Sequence, residues 1–234
     1  MELTWIGQGG FYVTMAGMTV MVDPYLSDSV REGLDPEAVR LVPINERYFT
    51  VPIDVLVCTH DHWDHTDLDT LARVLNRPES IKVLGPESVF RRLSQLENAN
   101  YEYCMFNVGD SIAVGHLKFT AIPAFHSDPH AVGVEIRSSE ESLYITGDTL
   151  YDGRIAQALS ASPDVMCVCI NGVGNNMDIT EATKLTKAVR PRIVIPMHWG
   201  MFAKATADPD MFIKEFEHTE VQAVKPVLYE PMSL

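Results

Sequence analysis

Within Thr59-His60-Asp61-His62-Trp63-Asp64-His65, the six residues from His60 to His65 hold three imidazoles and two carboxylates. They follow directly on the apolar run Val55-Leu56-Val57-Cys58. A strand that ends in such a cluster delivers its side chains to one point at a sheet edge, in a loop able to curl around an ion. Neutral imidazole and carboxylate are ligands for zinc, manganese or ferrous iron, and water on such an ion has a pKa lowered toward neutrality. The cluster therefore reads as a metal site, with the chemistry of a bound divalent ion. No thiolate stands in the cluster, so its residue types do not select among these ions.

Three further apolar strands end in a ligand-type side chain. Leu117–Ile122 leads to Pro123-Ala124-Phe125-His126-Ser127-Asp128, and Ser142–Ile145 leads to Thr146-Gly147-Asp148-Thr149. Arg192–Ile195 leads to Pro196-Met197-His198-Trp199-Gly200. One histidine at a strand end is more often a hydrogen-bonded structural residue. Taken together beside the His cluster, these residues supply ligands for a second metal. Val20-Met21-Val22 ends in Asp23-Pro24-Tyr25, where Asp23 suits the fixing of a ligand imidazole or of the cluster loop. A turn-capping Asp before Pro is the plainer alternative. His116 and His218, in a turn and late in the terminal helix, read as surface residues; His130 is a weaker candidate for lining the site.

Strand-like and helix-like stretches alternate throughout. Leu3–Ile6, Phe11–Met15 and Thr19–Val22 form an opening meander. Asp35-Pro36 has the pattern of an N-cap followed by Pro at the first helical position. Val55–Cys58 is a buried strand, and Thr66-Asp67-Leu68-Asp69 resembles a capping box opening a helix to about Leu75. Ile81–Leu84, a helix from Pro86, and Tyr101–Phe106 follow. In the second half, Leu117–Ile122, Ala131–Ile136, Ser142–Ile145, Val165–Ile170 and Ile193–Ile195 are strands. Ile155–Leu159 lies in a short helix, Asp178-Ile179-Thr180-Glu181 caps a helix to about Val189, and Asp208-Pro209 starts the last one. Val224–Leu228 reads as an extended tail. Two sheets with helices outside both would bury this pattern in an α/β chain read as one domain over residues 1–234.

The chain carries a net charge of −14 with no basic stripe, Arg91-Arg92 being the one adjacent basic pair, so nucleic acid is not an expected partner. No apolar run approaches the roughly 20 residues of a membrane helix, and Met1-Glu2-Leu3-Thr4-Trp5 lacks the features of a signal peptide. A cytoplasmic protein without a membrane partner is expected. Cys58, Cys104, Cys167 and Cys169 lie in apolar strand-like runs and read as buried reduced thiols. The sequence leaves open whether copies assemble into a homo-oligomer.

His60-x-His62-x-Asp64-His65, followed in order by His126, Asp148 and His198, resembles the metallo-β-lactamase-fold hydrolases over almost the whole chain. Finer segments resemble the L-ascorbate-6-phosphate lactonase branch. These are Trp5-Ile6-Gly7-Gln8-Gly9-Gly10-Phe11, Asp23-Pro24-Tyr25-Leu26-Ser27, Phe125-His126-Ser127-Asp128, Ile170-Asn171-Gly172 with Asn176-Met177, and Pro196-Met197-His198 through Phe202. The resemblance implies a four-layer αβ/βα sandwich, classed α/β or α+β, with the site along one edge of the two sheets. In its two-metal form His60, His62 and His126 hold one ion, Asp64, His65 and His198 the other, and Asp148 bridges. The lactonases of that branch are longer, and the stretch from Asn171-Gly172 to Asn176-Met177 is compact here. The hydrolytic machinery therefore transfers better than the sugar-phosphate substrate does.

The resemblance further implies a hydroxide on one or two zinc, manganese or iron ions attacking a small lactone or carboxylic ester. Asp64 and Asp148 orient the nucleophile and carry its proton; His198, Asp148 and a metal-bound water are the alternatives for the leaving-group acid. Phosphodiester hydrolysis is the alternative activity, since the same ligands serve phosphoryl chemistry. Asn171, Asn176, Trp199 and Tyr25 adjoin ligand-bearing strand ends and are candidates for substrate contact.

Overall fold

A computed structural model describes residues 1–97 and 99–234. The first half contains β1 (Glu2–Gly7), β2 (Gly10–Met15), β3 (Met18–Val22), α1 (Ser29–Gly33), β4 (Val55–Val57), α2 (Leu68–Val74), β5 (Ile81–Gly85), α3 (Glu87–Leu93) and β6 (Tyr101–Met105). The second contains β7 (Ser111–Val114), β8 (Leu117–Pro123), β9 (Val132–Arg137), β10 (Ser142–Ile145), α4 (Gly153–Ala158), β11 (Val165–Cys169), α5 (Ile179–Val189), β12 (Ile193–Met197), α6 (Pro209–Lys214), β13 (Gln222–Ala223) and β14 (Pro231–Ser233). They form two seven-stranded sheets, ordered β14-β1-β2-β3-β4-β5-β6 and β13-β12-β11-β10-β9-β8-β7. The architecture is the metallo-β-lactamase sandwich, an α/β arrangement of two mixed sheets with helices.

Side-chain alternation explains the layering. Leu3, Trp5, Val20, Val22, Val55 and Val57 face the second sheet and join its residues in one core. Ile6, Met21, Leu56 and Cys58 point the other way, onto Leu71, Val74, Val89 and Leu93 of α2 and α3. Both faces of β3 and β4 are thus covered toward the site, which is why Val20–Val22 and Val55–Val57 are apolar without interruption. On the second sheet Ala182, Leu185 and Val189 of α5 complete the core. No helix among the described residues is long and apolar enough to cross a membrane.

Several local expectations change. Asp35-Pro36 opens no helix: the Asp35 side chain accepts from the Glu37 amide at 3.0 Å, its carbonyl accepts from Ala38, and Leu41 bonds to the Met201 carbonyl instead. The helix there is α1, which starts seven residues earlier and ends at Gly33. At α2 the cap is Asp67, which accepts from the Asp69 amide, while Thr66 donates to the His60 carbonyl at 2.6 Å. The tail over Val224–Leu228 is not a strand; pairing occurs on either side of it, with β13 beside β12 and β14 beside β1. His218 lies past the end of α6, exposed in a turn. Cys58, Cys167 and Cys169 are buried free thiols, but Cys104 is only half-buried because β6 is a sheet edge.

Candidate metal centre

Strands β1, β3 and β4 of one sheet run in the same direction, as do β8, β10 and β12 of the other. Their C-terminal ends meet at one edge of the sandwich, so residues distant in sequence become neighbours. β4 delivers the His60–His65 loop, β8 delivers His126, β10 delivers Asp148 and β12 delivers His198. Side-chain ligand atoms of His60, His62, His126 and Asp148 lie within 4.8 Å of one another, and so do those of Asp64, His65 and His198. Asp148 sits between the groups, with Oδ1 3.3 Å from His65 Nε2 and Oδ2 3.2 Å from His198 Nε2 and 3.9 Å from His126 Nε2. All seven ligand-type residues singled out from the sequence are brought together.

Hydrogen bonds on the far side of each ring decide which nitrogen faces inward. The Thr59 hydroxyl donates to Asp23 Oδ2 at 2.5 Å, so it accepts from His60 Nδ1 at 3.0 Å. His60 Nε2 is then a buried lone pair with no hydrogen-bond partner. His65 Nδ1 donates to the same Asp23 carboxylate at 2.8 Å, and its Nε2 is likewise unpartnered. His126 Nδ1 donates to the Asn175 carbonyl at 3.1 Å, turning Nε2 toward His62 Nδ1, 3.1 Å away. Ser127 Oγ lies 3.1 Å from His62 Nε2 and can accept its proton. Outer partners of this kind set imidazole tautomers in metal sites.

The charges make the same demand. Asp23, Asp64 and Asp148 are packed into this corner, and their ion-pair partners among the described residues are all histidines. Buried carboxylates need a cation or a metal. Burial holds His60 well below the ordinary histidine range. Burial also opposes charge on His65 and His198, but nearby carboxylates outweigh it, raising the first well above its usual value and the second to about 9. Burial would raise Asp64 and Asp148, yet the same imidazoles draw both down. Converging lone pairs, inward carboxylate oxygens such as Asp148 Oδ1, which makes no hydrogen bond, and no lysine or arginine paired with these carboxylates among the described residues fit divalent ions well.

Asp23 does both jobs expected of it: it holds His65 and accepts from the Thr59 backbone amide at 2.7 Å. Asn176 donates to Asp148 Oδ2 at 2.8 Å, fixing the central carboxylate. Sequence reasoning assigned no role to Gln8. Its Nε2 donates to Asp64 Oδ2 at 2.7 Å and lies 3.1 Å from His198 Nε2, while its carbonyl accepts from the His198 amide and from Trp5 Nε1. The available signal was a long polar side chain in a glycine-rich strand-end turn. Gly9 next to it is required by close approach, since a Cβ there would stand 2.6 Å from His65 Cε1. Gln8, Asp23, Asn175 and His198, four of the eight non-glycine residues with positive φ among the described residues, cluster here, as strained backbone does at functional sites.

The cluster forms the floor of a cavity of about 600 Å³ lined further by Asn171, Asn176 and a side wall from residues 30–38, 173–175 and 202–205. Tyr25 and Trp199 are absent from the lining. Tyr25 is fully buried against Phe202, and Trp199 stacks on Trp5 with ring centroids 4.7 Å apart. His130 lines a separate polar depression with Asp61, Asp128 and Arg92 on the other side of His62.

A family model described as a beta-lactamase superfamily domain matches residues 18–199. A UPF0173 metal-dependent hydrolase of Aeropyrum pernix is 30% identical over 245 residues, covering 96% of this chain and 95% of that protein. Among solved structures, Igni18, a metallo hydrolase from the hyperthermophilic archaeon Ignicoccus hospitalis, superposes with a TM-score of 0.76 at 24% identity, covering 100% of this chain and 98% of that one. An isothiocyanate hydrolase from Delia radicum gut bacteria gives 0.78 at 17% identity, covering 100% and 99%. At these identities the structural likenesses speak for the fold alone.

Proposed function

The chain belongs to the beta-lactamase superfamily, in its UPF0173 metal-dependent hydrolase family, and from that premise we propose that it hydrolyses a small lactone or related carboxylic ester. One observation carries the reading. Of the seven converging ligand-type side chains, His62, Asp64, Asp148 and His198 open onto a cavity in which Lys204, the one Lys or Arg of the lining among the described residues, is paired with Glu37. A neutral carbonyl compound can enter such a cavity. A phosphodiester would meet two carboxylates, Asp35 and Glu37, against one cation, Lys204, among the described residues of the lining, so the ester reading stands ahead.

His60, His62 and His126 would hold one divalent ion and Asp64, His65 and His198 a second, with Asp148 shared. Zinc, manganese or ferrous iron bound there would lower the pKa of water and polarise the substrate carbonyl. The chain's own residues orient the reagents. Asn176 holds Asp148 by Oδ2 and leaves Oδ1 facing His65, while Gln8 aims Asp64 from the edge of the cavity. Asp64, whose side chain is 19% exposed against 5% for Asp148, is the carboxylate placed to take a proton from the floor out to the cavity. For a lactone, the leaving alkoxide stays tethered as the product hydroxy acid.

The test is to strip the protein of metal, reload it with Zn²⁺, Mn²⁺ or Fe²⁺, and assay γ- and δ-lactones, p-nitrophenyl acetate and bis(p-nitrophenyl) phosphate. Lactone or ester turnover should return with metal and exceed phosphodiester turnover. Faster phosphodiester hydrolysis, or activity in the stripped protein, would sink the reading.

A further inference from the structure

The cavity has two unlike surfaces. Its floor is the polar cluster, and its side wall is apolar, built from Val30, Leu34, Ala38, Val173, Phe202 and Ala205, with Trp63 joining wall to floor. The wall is buried at its base, where Val30 and Phe202 are each 7% exposed and pack with Trp63, Ala38 and Ala205, and open at its rim, where Leu34 is 65% exposed and Val173 42%. Single exposed apolar side chains are ordinary, but apolar side chains that line the same cavity as the candidate metal centre are a ligand surface.

Charge at the mouth narrows the ligand. Glu37 and Lys204 satisfy each other, leaving Asp35, whose Oδ1 already accepts from the Glu37 amide at 3.0 Å. A second anionic group on the substrate would meet a mouth where two carboxylates, Asp35 and Glu37, outnumber the one cation, Lys204, among the described residues. The strip is also firmly seated where it meets the floor. Gly33 lies on the Trp63 indole so closely that a Cβ would stand 2.3 Å from Cζ3, and Arg92 covers the same ring at 4.8 Å from its centroid.

We infer that the substrate carries an uncharged alkyl or acyl chain, which lies along the Val30–Leu34–Phe202 wall while its ester or lactone group sits on the floor. This rests on the ester-hydrolase reading above for the reaction, but not for the chain-binding wall. The inference sets aside a phosphorylated sugar lactone as the substrate.

Two measurements on the metal-loaded protein test it. In calorimetric titrations with butanoate, hexanoate and octanoate, Kd should fall by roughly two- to fourfold per methylene, the gain expected when methylenes leave water. In assays with γ-butyrolactone, γ-octalactone and the 6-phosphate of glucono-δ-lactone, γ-octalactone should have the highest kcat/KM. Leu34→Ser, at a largely exposed position, should shrink the octanoate-to-butanoate affinity ratio by at least threefold. Equal affinity for the three alkanoates, or a ratio untouched by Leu34→Ser, overturns the apolar wall whether or not any lactone is hydrolysed. A phosphorylated lactone used faster than γ-octalactone overturns the uncharged-chain assignment. Chain-length-dependent binding without lactone or ester turnover overturns the ester-hydrolase reading and leaves the wall standing.

Discussion

The floor and the mouth of one cavity are built by different rules. On the floor, inward-facing donors are held from behind: His60 by Thr59, His65 by Asp23, His126 by the Asn175 carbonyl, Asp148 by Asn176 and Asp64 by Gln8. Apart from Thr59, which adjoins His60, these partners come from loops that follow other strands of the same sheet. At the mouth, α1 is five residues long, its N-cap Asp28 makes no side-chain hydrogen bond, and the Lys204–Glu37 pair is exposed. An exposed pair of this kind contributes about 0–1 kcal/mol. The candidate metal centre is therefore anchored to the sandwich, while the mouth rests on short connections that can change without disturbing it.

The sharpest way to break that contrast is at the floor. His60→Ala deletes a buried lone pair aimed at the centre, and should cost the ion it holds and about three orders of magnitude in rate. Circular dichroism should show the sandwich retained; full metal content with full activity would show that the floor is not a metal centre. Asp148→Asn follows. With two ions it should lower metal from about two per chain toward one and cut kcat by about a hundredfold or more. Unchanged metal with reduced kcat would mean a one-ion centre, and no change in either would remove Asp148 from the site.

Behind the floor, Asp23→Asn keeps a residue that tolerates the left-handed backbone (φ 42°) but loses the charge facing His65 and Thr59. Metal affinity, read by competition with a chelator, should weaken about 10- to 100-fold, the range for outer partners of metal ligands. An unchanged affinity would mean that the inner ring needs no support from behind. The smallest effect on chemistry is expected at the mouth. Gly33→Ala forces α1 off the Trp63 indole at an overpacking cost of about 1–3 kcal/mol. It should raise KM severalfold for a lactone bearing an alkyl chain while metal content stays constant; loss of metal would show that floor and mouth are not separable.

Legibility from sequence followed the range of the interactions involved. The capping box at Asp178 and Glu181 forms as read, both of its bonds closing within one turn. Asp35-Pro36 carries an equally good local pattern but does not start a helix, because Leu41 is drawn across to the Met201 carbonyl. β14 lies at the far end of the chain from its partner β1, and its short, Pro-led sequence gives no local sign of that pairing. Tyr25 and Trp199 stand beside ligand-bearing strand ends, yet their rings turn into the core against Phe202 and Trp5.

By itself the sequence determined the chemistry available to this protein. Imidazoles and carboxylates at the ends of apolar strands are specified by residue type and period, and β4, β8, β10 and β12 place them as the strand pattern requires. Tertiary structure alone decided which ring nitrogen faces the centre, that Gln8 joins it, and that the wall above it is apolar. The reason is that tautomer and orientation are set by a second partner from a distant strand, and a cavity wall is set by which loops pack side by side. Both are contacts between residues far apart in the chain, as Gln8 with Asp64 and Gly33 with Trp63 show, and no local pattern encodes them.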